Sequence, residues 1–343
     1  MIARSPANWQ GRDAAGEPWQ VAMQTVIGDV DELLGLLGLT RGDVDIDDGQ
    51  AFALRVPRAF VDRMQPGRAD DPLLRQVLPR MAERLPLPGF SCDPLGEAQA
   101  MRLPGLLHKF HGRVLLLASG HCPIHCRYCF RRHFPYAAMQ PARAEWQRVF
   151  DCIAGDPSIS EVILSGGDPL SLPDRQLQWL IERLAAIPQL CRLRLHSRLP
   201  VLIPARITPQ LLRLLGDCRL PTSLVIHANH AQELDDQVAA ALAPLRRAGV
   251  TLLNQSVLLA GVNDRLDDLC ALSERLFAIG VLPYYLHLLD RVAGAGHFAV
   301  AEERVHELHA GLLARLPGYL VPRLVREVAQ APSKVPLQLP AAG

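Results

Sequence analysis

From residue 114 onward, short apolar runs with strand character alternate with amphipathic stretches of helical character. The predicted strands are 114–118, 161–164, 192–196, 223–227, 251–257 and 282–289. The predicted helices include 174–186, 209–216, 232–248 and 265–279, and a further helix at 301–316 precedes a last strand-like run at 320–328. This alternation predicts parallel βαβ units and therefore an α/β fold.

Six such units predict an open, partial (β/α)6 barrel rather than a closed barrel of eight, with a doubly wound open sheet as the alternative. Unusual polar residues follow the ends of successive strands, at Cys122, 165–168, 196–198, 227–229, 254–255, Asp290, and Glu327 with Lys334. Active-site residues of barrels collect at the carboxyl ends of the strands, so this distribution favours the barrel.

Residues 1–105 have a different pattern from the rest of the chain. They contain three short helical patterns, at 30–37, 57–64 and 72–84, and no motif with recognisable chemistry. The Pro- and Gly-containing stretch at 85–89 interrupts the chain after them. We therefore predict an N-terminal helical cap region (1–105), a barrel (106–330) and a C-terminal segment (331–343).

Cys122, Cys126 and Cys129 have C-x3-C-x2-C spacing directly after the first predicted strand. Soft thiolates at this spacing can bind three irons of a cubic [4Fe-4S] cluster, which leaves the fourth iron open to a small molecule. The alternative is a structural zinc site, with one of three nearby histidines as the fourth ligand. Zinc sites more often use paired C-x2-C knuckles, and only one such pair occurs here, so the spacing favours the cluster.

Composition excludes several other classes of protein. The chain has 343 residues, 49% of them hydrophobic, which suffices for a large core. It has no apolar run of membrane-spanning length and no apolar signal-peptide core at its start, so we expect a cytoplasmic protein whose eight cysteines are thiols or ligands. With 36 basic and 35 acidic residues and no long basic block, direct nucleic-acid binding is disfavoured and a small substrate fits better.

The three-cysteine motif, with Tyr128 before its last cysteine, resembles that of the radical S-adenosylmethionine (SAM) enzymes. The resemblance implies that the cluster binds SAM through its open iron. It also implies that the turn after the second predicted strand, formed by Ser165, Gly166, Gly167 and Asp168, contacts the amino group of SAM. Asp168 stands where the family usually has Glu, so the carboxylate is kept on a shorter side chain.

Over roughly residues 25–340 the chain resembles the L-lysine 2,3-aminomutase family. The matching segments are 126–132 (CRYCFRR), 165–170 (SGGDPL), 197–206 (SRLPVLIPAR), 254–259 (NQSVLL), 283–287 (PYYLH), 296–298 (GHF) and the closing Glu327-x6-Lys334. Their agreement in order and spacing makes the resemblance specific. It implies an isomerase that moves the α-amino group of lysine to the neighbouring carbon, with a [4Fe-4S] cluster, SAM and pyridoxal 5′-phosphate (PLP) as cofactors.

The resemblance also assigns roles to individual residues. Lys334 would bind PLP covalently, although a lone lysine near a chain end is more often solvated. Arg131 would pair with the carboxylate of the substrate, a task that suits a planar guanidinium. Asp290 and Glu327 would hold the distal ammonium of lysine, with Glu327 in place of the usual Asp. The residues implied to contact PLP or to line the cofactor pocket are Arg113, Ser197, Arg206 and Gln255.

Within the family, the chain is most similar to the bacterial branch that modifies translation elongation factor P, on the strings at 52–57 (FALRVP), 71–78 (DPLLRQVL) and 131–136 (RRHFPY). The chain also ends soon after Lys334, whereas free-lysine aminomutases carry a further C-terminal segment. We therefore expect conversion of L-lysine to (R)-β-lysine for the β-lysylation of elongation factor P. The implied partners are lysine, elongation factor P with its lysyl ligase, and a reductant such as flavodoxin or ferredoxin.

Three alternatives stay open. A free-lysine 2,3-aminomutase would run the same reaction for lysine catabolism or osmolyte synthesis. A glutamate 2,3-aminomutase is disfavoured because Asp290 and Glu327 would repel an acidic side chain. A non-enzymatic iron–sulfur or zinc protein would leave Lys334 without a role.

Overall fold

A ten-stranded sheet organises the protein, and its strands lie side by side in chain order. The structure is a computed structural model that describes residues 19–47, 49, 52–139 and 145–337. The strands are β1 (Met101–Leu103), β2 (Leu106–Phe110), β3 (Arg113–Ser119), β4 (Glu161–Gly166), β5 (Arg192–Ser197), β6 (Thr222–His227), β7 (Thr251–Val257), β8 (Leu282–His287), β9 (Arg323–Arg326) and β10 (Val335–Pro336). The strands from β3 to β9 are parallel, whereas β1, β2 and β10 pair antiparallel at the two edges.

Helices connect the parallel strands. The longer ones are α7 (Trp146–Ala154), α8 (Asp174–Ala185), α10 (Pro209–Gly216), α11 (Asp236–Arg247), α12 (Leu266–Ala278) and α13 (Glu302–Arg315). The short ones are α1 (Trp19–Gln24), α2 (Val30–Leu36), α3 (Arg58–Val61), α4 (Pro72–Arg75), α5 (Glu97–Ala100), α6 (Tyr136–Met139) and α9 (Leu199–Leu202). Local capping sets several starts: Thr208 accepts a hydrogen bond from the Leu211 amide before α10, and Asp235 accepts one from the Val238 amide before α11.

The predicted open α/β barrel is confirmed. The strand order follows the chain without reversal, which excludes the doubly wound alternative, because that fold needs a point where the order reverses. Among the described residues β1 and β10 remain the two edges of the sheet, so the barrel does not close. Strand β9 adds a seventh parallel strand after the six predicted units.

Burial explains why the parallel strands are so apolar. In β4, Val162 and Leu164 belong to the main hydrophobic core, whereas Ile163 and Ser165 alternate with them and face the inside of the curved sheet. On the outside, α8 buries its apolar stripe of Leu177, Leu180, Ile181 and Leu184, which recurs at helical spacing. No described helix has both the length and the apolar character needed to cross a membrane.

The predicted helix at 72–84 is wrong in length. It begins as predicted, because Asp71 accepts hydrogen bonds from the amides of Leu73 and Leu74. Helix α4 then ends at Arg75, and a separate 3₁₀ turn follows at Met81–Arg84. Pro79 lies between the two pieces and cannot continue a helical hydrogen-bond ladder.

The N-terminal region packs closely with the barrel. Strand β1 lies within residues 1–105 yet joins the main sheet, and Ile27, Val56 and Phe60 share the hydrophobic core of the barrel strands. The proposed boundary at residue 105 therefore falls inside the β1–β2 hairpin, and the division into three parts stays a prediction. The N-terminal stretch that was examined for a signal peptide (1–10) and the end of the C-terminal segment (338–343) lie outside the described residues.

Candidate active site

The inside of the curved sheet encloses a cavity of about 850 Å³. It extends from the cysteine-containing loop at the carboxyl end of β3 to Arg113 and Arg323 at the amino ends of β3 and β9. Most of the predicted site residues line it together: Arg113, Cys122, Cys126, Cys129, Arg131, Ser165, Gly166, Gly167, Asp168, Gln255, Asp290, Glu327 and Lys334. Ser197 and Arg206 are absent from this lining.

The three cysteines form one compact loop of free thiols. The amide of Cys129 donates a hydrogen bond to the carbonyl of Cys126 at 2.9 Å, so the last two cysteines share a tight turn. Burial, reinforced by the neighbouring Cys126, raises the pKa of Cys129 to about 12, and burial with the nearby Asp168 also raises the pKa of Cys122. Thiols in such a site ionise readily only with a compensating cation, which an iron cluster supplies.

The zinc alternative can be compared with the positions of the candidate ligands. Among the described residues, no three His, Cys, Asp or Glu side chains form a site that could hold one metal ion. A zinc ion needs its ligands to converge, whereas in a cubic cluster each thiolate binds a different iron. Two of the candidate zinc histidines are also engaged elsewhere: His125 donates from Nδ1 to the Ala53 carbonyl, and His133 donates from Nε2 to the Ala293 carbonyl.

The two glycines after β4 let that turn lie against the cysteine loop. A Cβ on Gly166 would stand 2.2 Å from the Ser119 carbonyl oxygen, and one on Gly167 would stand 2.4 Å from that of His121. Gly166 also has φ of +126°, which L side chains rarely adopt. The glycines therefore allow the close approach of two backbones, and the expected contact of this turn with SAM stays a prediction.

The Asp168 carboxylate is fully engaged inside the protein. One oxygen accepts hydrogen bonds from the Leu170 amide and the Ser197 hydroxyl, and the other accepts from the amides of Arg198 and Leu199. Asp168 thus starts the 3₁₀ turn at Pro169–Ser171 and fastens it to the beginning of α9. Ser197 lies behind the cavity wall as a partner of Asp168.

Arg206 also lies away from the cavity. Its guanidinium is buried, donates to the carbonyls of Leu170 and Leu172, and pairs with Asp174 at 2.8 Å. It also stacks over the Trp19 ring, 4.2 Å from the centroid. These contacts brace the loop after β4 against α1 and α8.

Arg131 lines the cavity with its guanidinium already paired. Its Nε and Nη2 donate to the two oxygens of Glu97 at 2.7 and 2.8 Å, and Nη1 donates to the Ser165 hydroxyl and the Gly166 carbonyl. Burial alone would lower the pKa of Arg131, but the Glu97 carboxylate outweighs burial and raises it. Glu97 lies on the short helix α5, and no pattern in the sequence singles it out.

Glu327 lies between two lysines. Its carboxylate accepts hydrogen bonds from Lys334 Nζ and Lys109 Nζ, both at 2.8 Å. The register of the last hairpin explains the first contact: Val335 pairs with Arg326, so Glu327 and Lys334 are the next residues outward and face each other. Burial would raise the pKa of Glu327, but the two ammonium groups outweigh it and lower that pKa to about 2.

Lys109 and Lys334 are the only lysines in the 343-residue chain. Lys109 lies on β2, next to one edge of the open sheet, and Glu327 follows β9 near the other edge, so their ion pair links the two sides. Lys109 belongs to none of the motifs that predicted the site. The scarcity of lysine was the signal that could have revealed it.

Asp290 faces the cavity without a hydrogen-bond donor among the described residues. Burial and the neighbouring Glu327 raise the pKa of its carboxyl to about 7, although Lys334 and Lys109 act in the opposite direction. The cavity wall thus carries two acidic groups close enough to influence each other, one already paired with lysines and one free to accept a cation.

The buried polar atoms of the cavity wall that have no hydrogen-bond partner among the described residues include His196 Nε2, His227 Nε2, His287 Nε2 and Gln255 Oε1. Burial lowers the pKa of His227 and of His287 to about 3, and it lowers that of His196 as well, so the rings are neutral. Unpaired buried polar groups cost free energy, which a polar ligand in the cavity would offset.

The fold and site define an open parallel barrel with a three-cysteine loop at the carboxyl edge and a lysine inside. The chain is 51% identical over 326 residues to the L-lysine 2,3-aminomutase of Escherichia coli (strain K12), which covers 94% of this chain and 95% of that one. It is 46% identical to that of Haemophilus influenzae, over 92% and 94% of the two chains, and 33% identical to that of Clostridium subterminale, over 95% and 79%. No protein-family model matches the chain.

The protein belongs to the L-lysine 2,3-aminomutase family. It is therefore an enzyme of the isomerase class. The resemblance stated from the sequence motifs is confirmed.

Proposed function

We propose that the protein converts L-lysine to (R)-β-lysine with a [4Fe-4S] cluster, SAM and PLP, and that the product serves the β-lysylation of elongation factor P in the cytoplasm. One observation carries the proposed reaction: a single cavity is lined by the three cysteines, by Lys334 and by the acidic pair of Asp290 and Glu327. Moving an amino group between neighbouring carbons needs cofactors, since no side chain can remove an unactivated hydrogen.

The donor set fits the three cofactors. Cys122, Cys126 and Cys129 would hold the cluster, and the turn of 165–168 lies beside them for SAM. When bound, the cluster and SAM supply a radical that removes hydrogen from carbon, and PLP holds the migrating amino group. Ser197 and Arg206 would shape the pocket from behind rather than touch a cofactor, because both are engaged within the protein.

Lys334 is the proposed covalent anchor of PLP. Its ammonium lies 2.8 Å from Glu327 and 5.5 Å from the centroid of the Tyr285 ring, inside the cavity rather than in bulk solvent. Glu327 positions this amine in the cavity, because its carboxylate accepts a hydrogen bond from Lys334 Nζ. Arg113 adds a cation to the same cavity for the anionic cofactor, and Gln255 adds an unpaired carbonyl oxygen.

The substrate site combines charges of both signs. Asp290 and Glu327 would attract the distal ammonium of lysine and repel the side chain of glutamate. Arg131 would bind the α-carboxylate of the substrate. Because the Glu97 carboxylate already pairs with the Arg131 guanidinium, the substrate carboxylate must share that guanidinium with Glu97 or displace Glu97 from it.

Replacing Asp290 by Asn should raise the apparent KM for lysine at least about tenfold. Removing one partner of a charged, hydrogen-bonded pair costs roughly 2–5 kcal/mol, and about 1.4 kcal/mol corresponds to a tenfold change in affinity. Steady-state kinetics with lysine, alongside SAM and PLP binding, measures this. An Asp267→Asn variant on the exposed face of α12 is the matched control. An unchanged KM with a lowered melting temperature would place the ammonium site elsewhere.

The pH dependence of lysine binding should follow Asp290. With a pKa of about 7, this carboxyl is mostly uncharged below that pH and ionised above it. Lysine keeps its ammonium throughout, so the KM of the wild type should rise as the pH falls from about 8 to about 6. The Asp290→Asn variant should have a flatter profile. Equal slopes in both proteins would contradict the assignment.

The link to elongation factor P rests on the branch-specific strings at 52–57, 71–78 and 131–136. The high identity to the Escherichia coli and Haemophilus influenzae relatives over nearly their whole lengths is consistent with such a branch. The proposed partners are elongation factor P, its lysyl ligase and a flavodoxin or ferredoxin as the reductant.

Deleting the gene tests this link. We expect intact-mass spectrometry to find elongation factor P unmodified in the deletion strain. Supplied β-lysine or the wild-type gene should restore the modification, and the Lys334→Ala gene should not. Full modification in the deletion strain would instead favour the second candidate, a free-lysine aminomutase that serves catabolism or osmolyte synthesis.

A further inference from the structure

A buried arginine contacts one of the three cysteines directly. Arg198 follows the last residue of β5, and its guanidinium is almost fully buried. Its Nη1 donates a hydrogen bond to the Cys126 sulfur at 2.7 Å, and its Nη2 donates to Gln76 Oε1 at 2.7 Å and to Glu233 Oε2 at 2.9 Å. A positive charge is therefore fixed against a sulfur that the site needs as a metal ligand.

A closed polar network holds this arginine in place. Asn229 donates from Nδ2 to Gln76 Oε1 and to the Tyr128 hydroxyl, and its amide donates to Glu233 Oε1 at 2.8 Å. Gln76 donates back to Glu233, and both side chains are completely buried. These partners hold the two terminal nitrogens of Arg198 in place, and burial keeps its charge from being screened by water.

We propose that Arg198 is a positioning residue that sets the reduction potential of the cluster held by Cys126, an inference that rests on the proposed function. Reduction by one electron, delivered by a low-potential carrier of the flavodoxin or ferredoxin class, adds one negative charge to the cluster and its thiolates. A fixed cation and an N–H···S hydrogen bond stabilise that added charge. Arg198 therefore makes the electron transfer that precedes SAM cleavage more favourable.

Glu233 should oppose this effect. Its carboxylate lies 2.9 Å from the Arg198 guanidinium and partly neutralises the charge that acts on Cys126. Removing the arginine should lower the potential of the cluster, whereas removing the carboxylate charge should raise it. A general loss of packing would not shift the reduction potential in opposite directions in the two variants.

The test is a potentiometric titration of the anaerobically reconstituted cluster, followed by electron paramagnetic resonance, with no lysine, SAM or PLP present. For Arg198→Met we expect the equilibrium constant for reduction of the cluster to fall at least tenfold. This corresponds to a reduction potential lower by about 59 mV for a one-electron couple. Glu233→Gln should shift the potential upward. The matched control is Arg63→Met, which removes a buried arginine that pairs with Asp235 instead of a cysteine.

Arg198→Lys is a second variant for the case that Arg198→Met does not fold. It keeps a charge that can pair with Glu233 but loses the planar fork, so its potential should fall between those of the wild type and Arg198→Met. Should Arg198→Met take up no cluster, Arg198→Lys and Glu233→Gln decide by the direction of their shifts. Unchanged potentials in fully loaded variants, or shifts of equal sign in both, would overturn the role of Arg198. A wild-type protein that binds no cluster would instead overturn the proposed cofactor.

Discussion

Single replacement of Cys122, Cys126 or Cys129 by alanine abolishes cluster binding and all cleavage of SAM. The three thiols are the only protein ligands proposed for the cluster, so the loss of any one leaves a second iron without a protein ligand. Two of the three nearby histidines, His125 and His133, already form hydrogen bonds with backbone carbonyls. Iron and sulfide analysis after anaerobic reconstitution, together with an assay of SAM cleavage, measures the effect.

Cys152 and Cys218 provide matched controls for this prediction. Both are partly buried free thiols that lie outside the loop and pack against the main core. Their alanine variants should keep a full cluster and normal activity. A loop variant that retained four irons and normal turnover would refute the ligand assignment.

Replacing Lys334 by alanine removes the absorbance band of covalently bound PLP and nearly all mutase activity, while the iron content stays intact. Different residues are proposed to hold the cluster and PLP, so the variant should lose PLP and keep the cluster. The chain offers a sharp test, because Lys109 is the only other lysine that could bind the aldehyde. Absorbance spectra of the PLP-loaded variant, recorded with its iron content, provide both readouts.

Lys109→Arg is the control for the lysine experiment. It keeps a cation opposite Glu327 and leaves Lys334 as the sole lysine, so the PLP band should persist. If the band survived in Lys334→Ala and disappeared in the double variant, Lys109 would be the anchor. The assignment of Lys334 would then be wrong.

The architecture could be predicted because it depends on local patterns. The predicted strand at 251–257 and the predicted helix at 209–216 match the structure. Apolar periodicity and the capping residues Thr208 and Asp235 are features of neighbouring residues in the chain, so a sequence shows them directly. The short edge strands β1, β2 and β10 were missed. They are two to five residues long, and their antiparallel pairing depends on distant parts of the chain.

The site could be predicted only in part, because its charges are paired by tertiary contacts. Spacing identified the cysteine loop. No local pattern indicates that the Glu97 carboxylate pairs with the Arg131 guanidinium or that Arg198 contacts Cys126. The pairing of Glu327 with Lys334 follows from the register of a hairpin that only the folded chain defines. The carboxylate of Asp168 also holds two loops together, since both of its oxygens accept hydrogen bonds from backbone amides, and its contact with SAM stays a prediction.

The most direct test of the whole account is the amino-acid product of the reconstituted enzyme. The protein is loaded anaerobically with iron, sulfide and PLP, reduced in the presence of SAM, and given an equimolar mixture of L-lysine and L-glutamate. The expected product is β-lysine, with glutamate unchanged. Formation of β-glutamate, or recovery of both substrates unchanged from a protein that carries its full cluster and bound PLP, would contradict it.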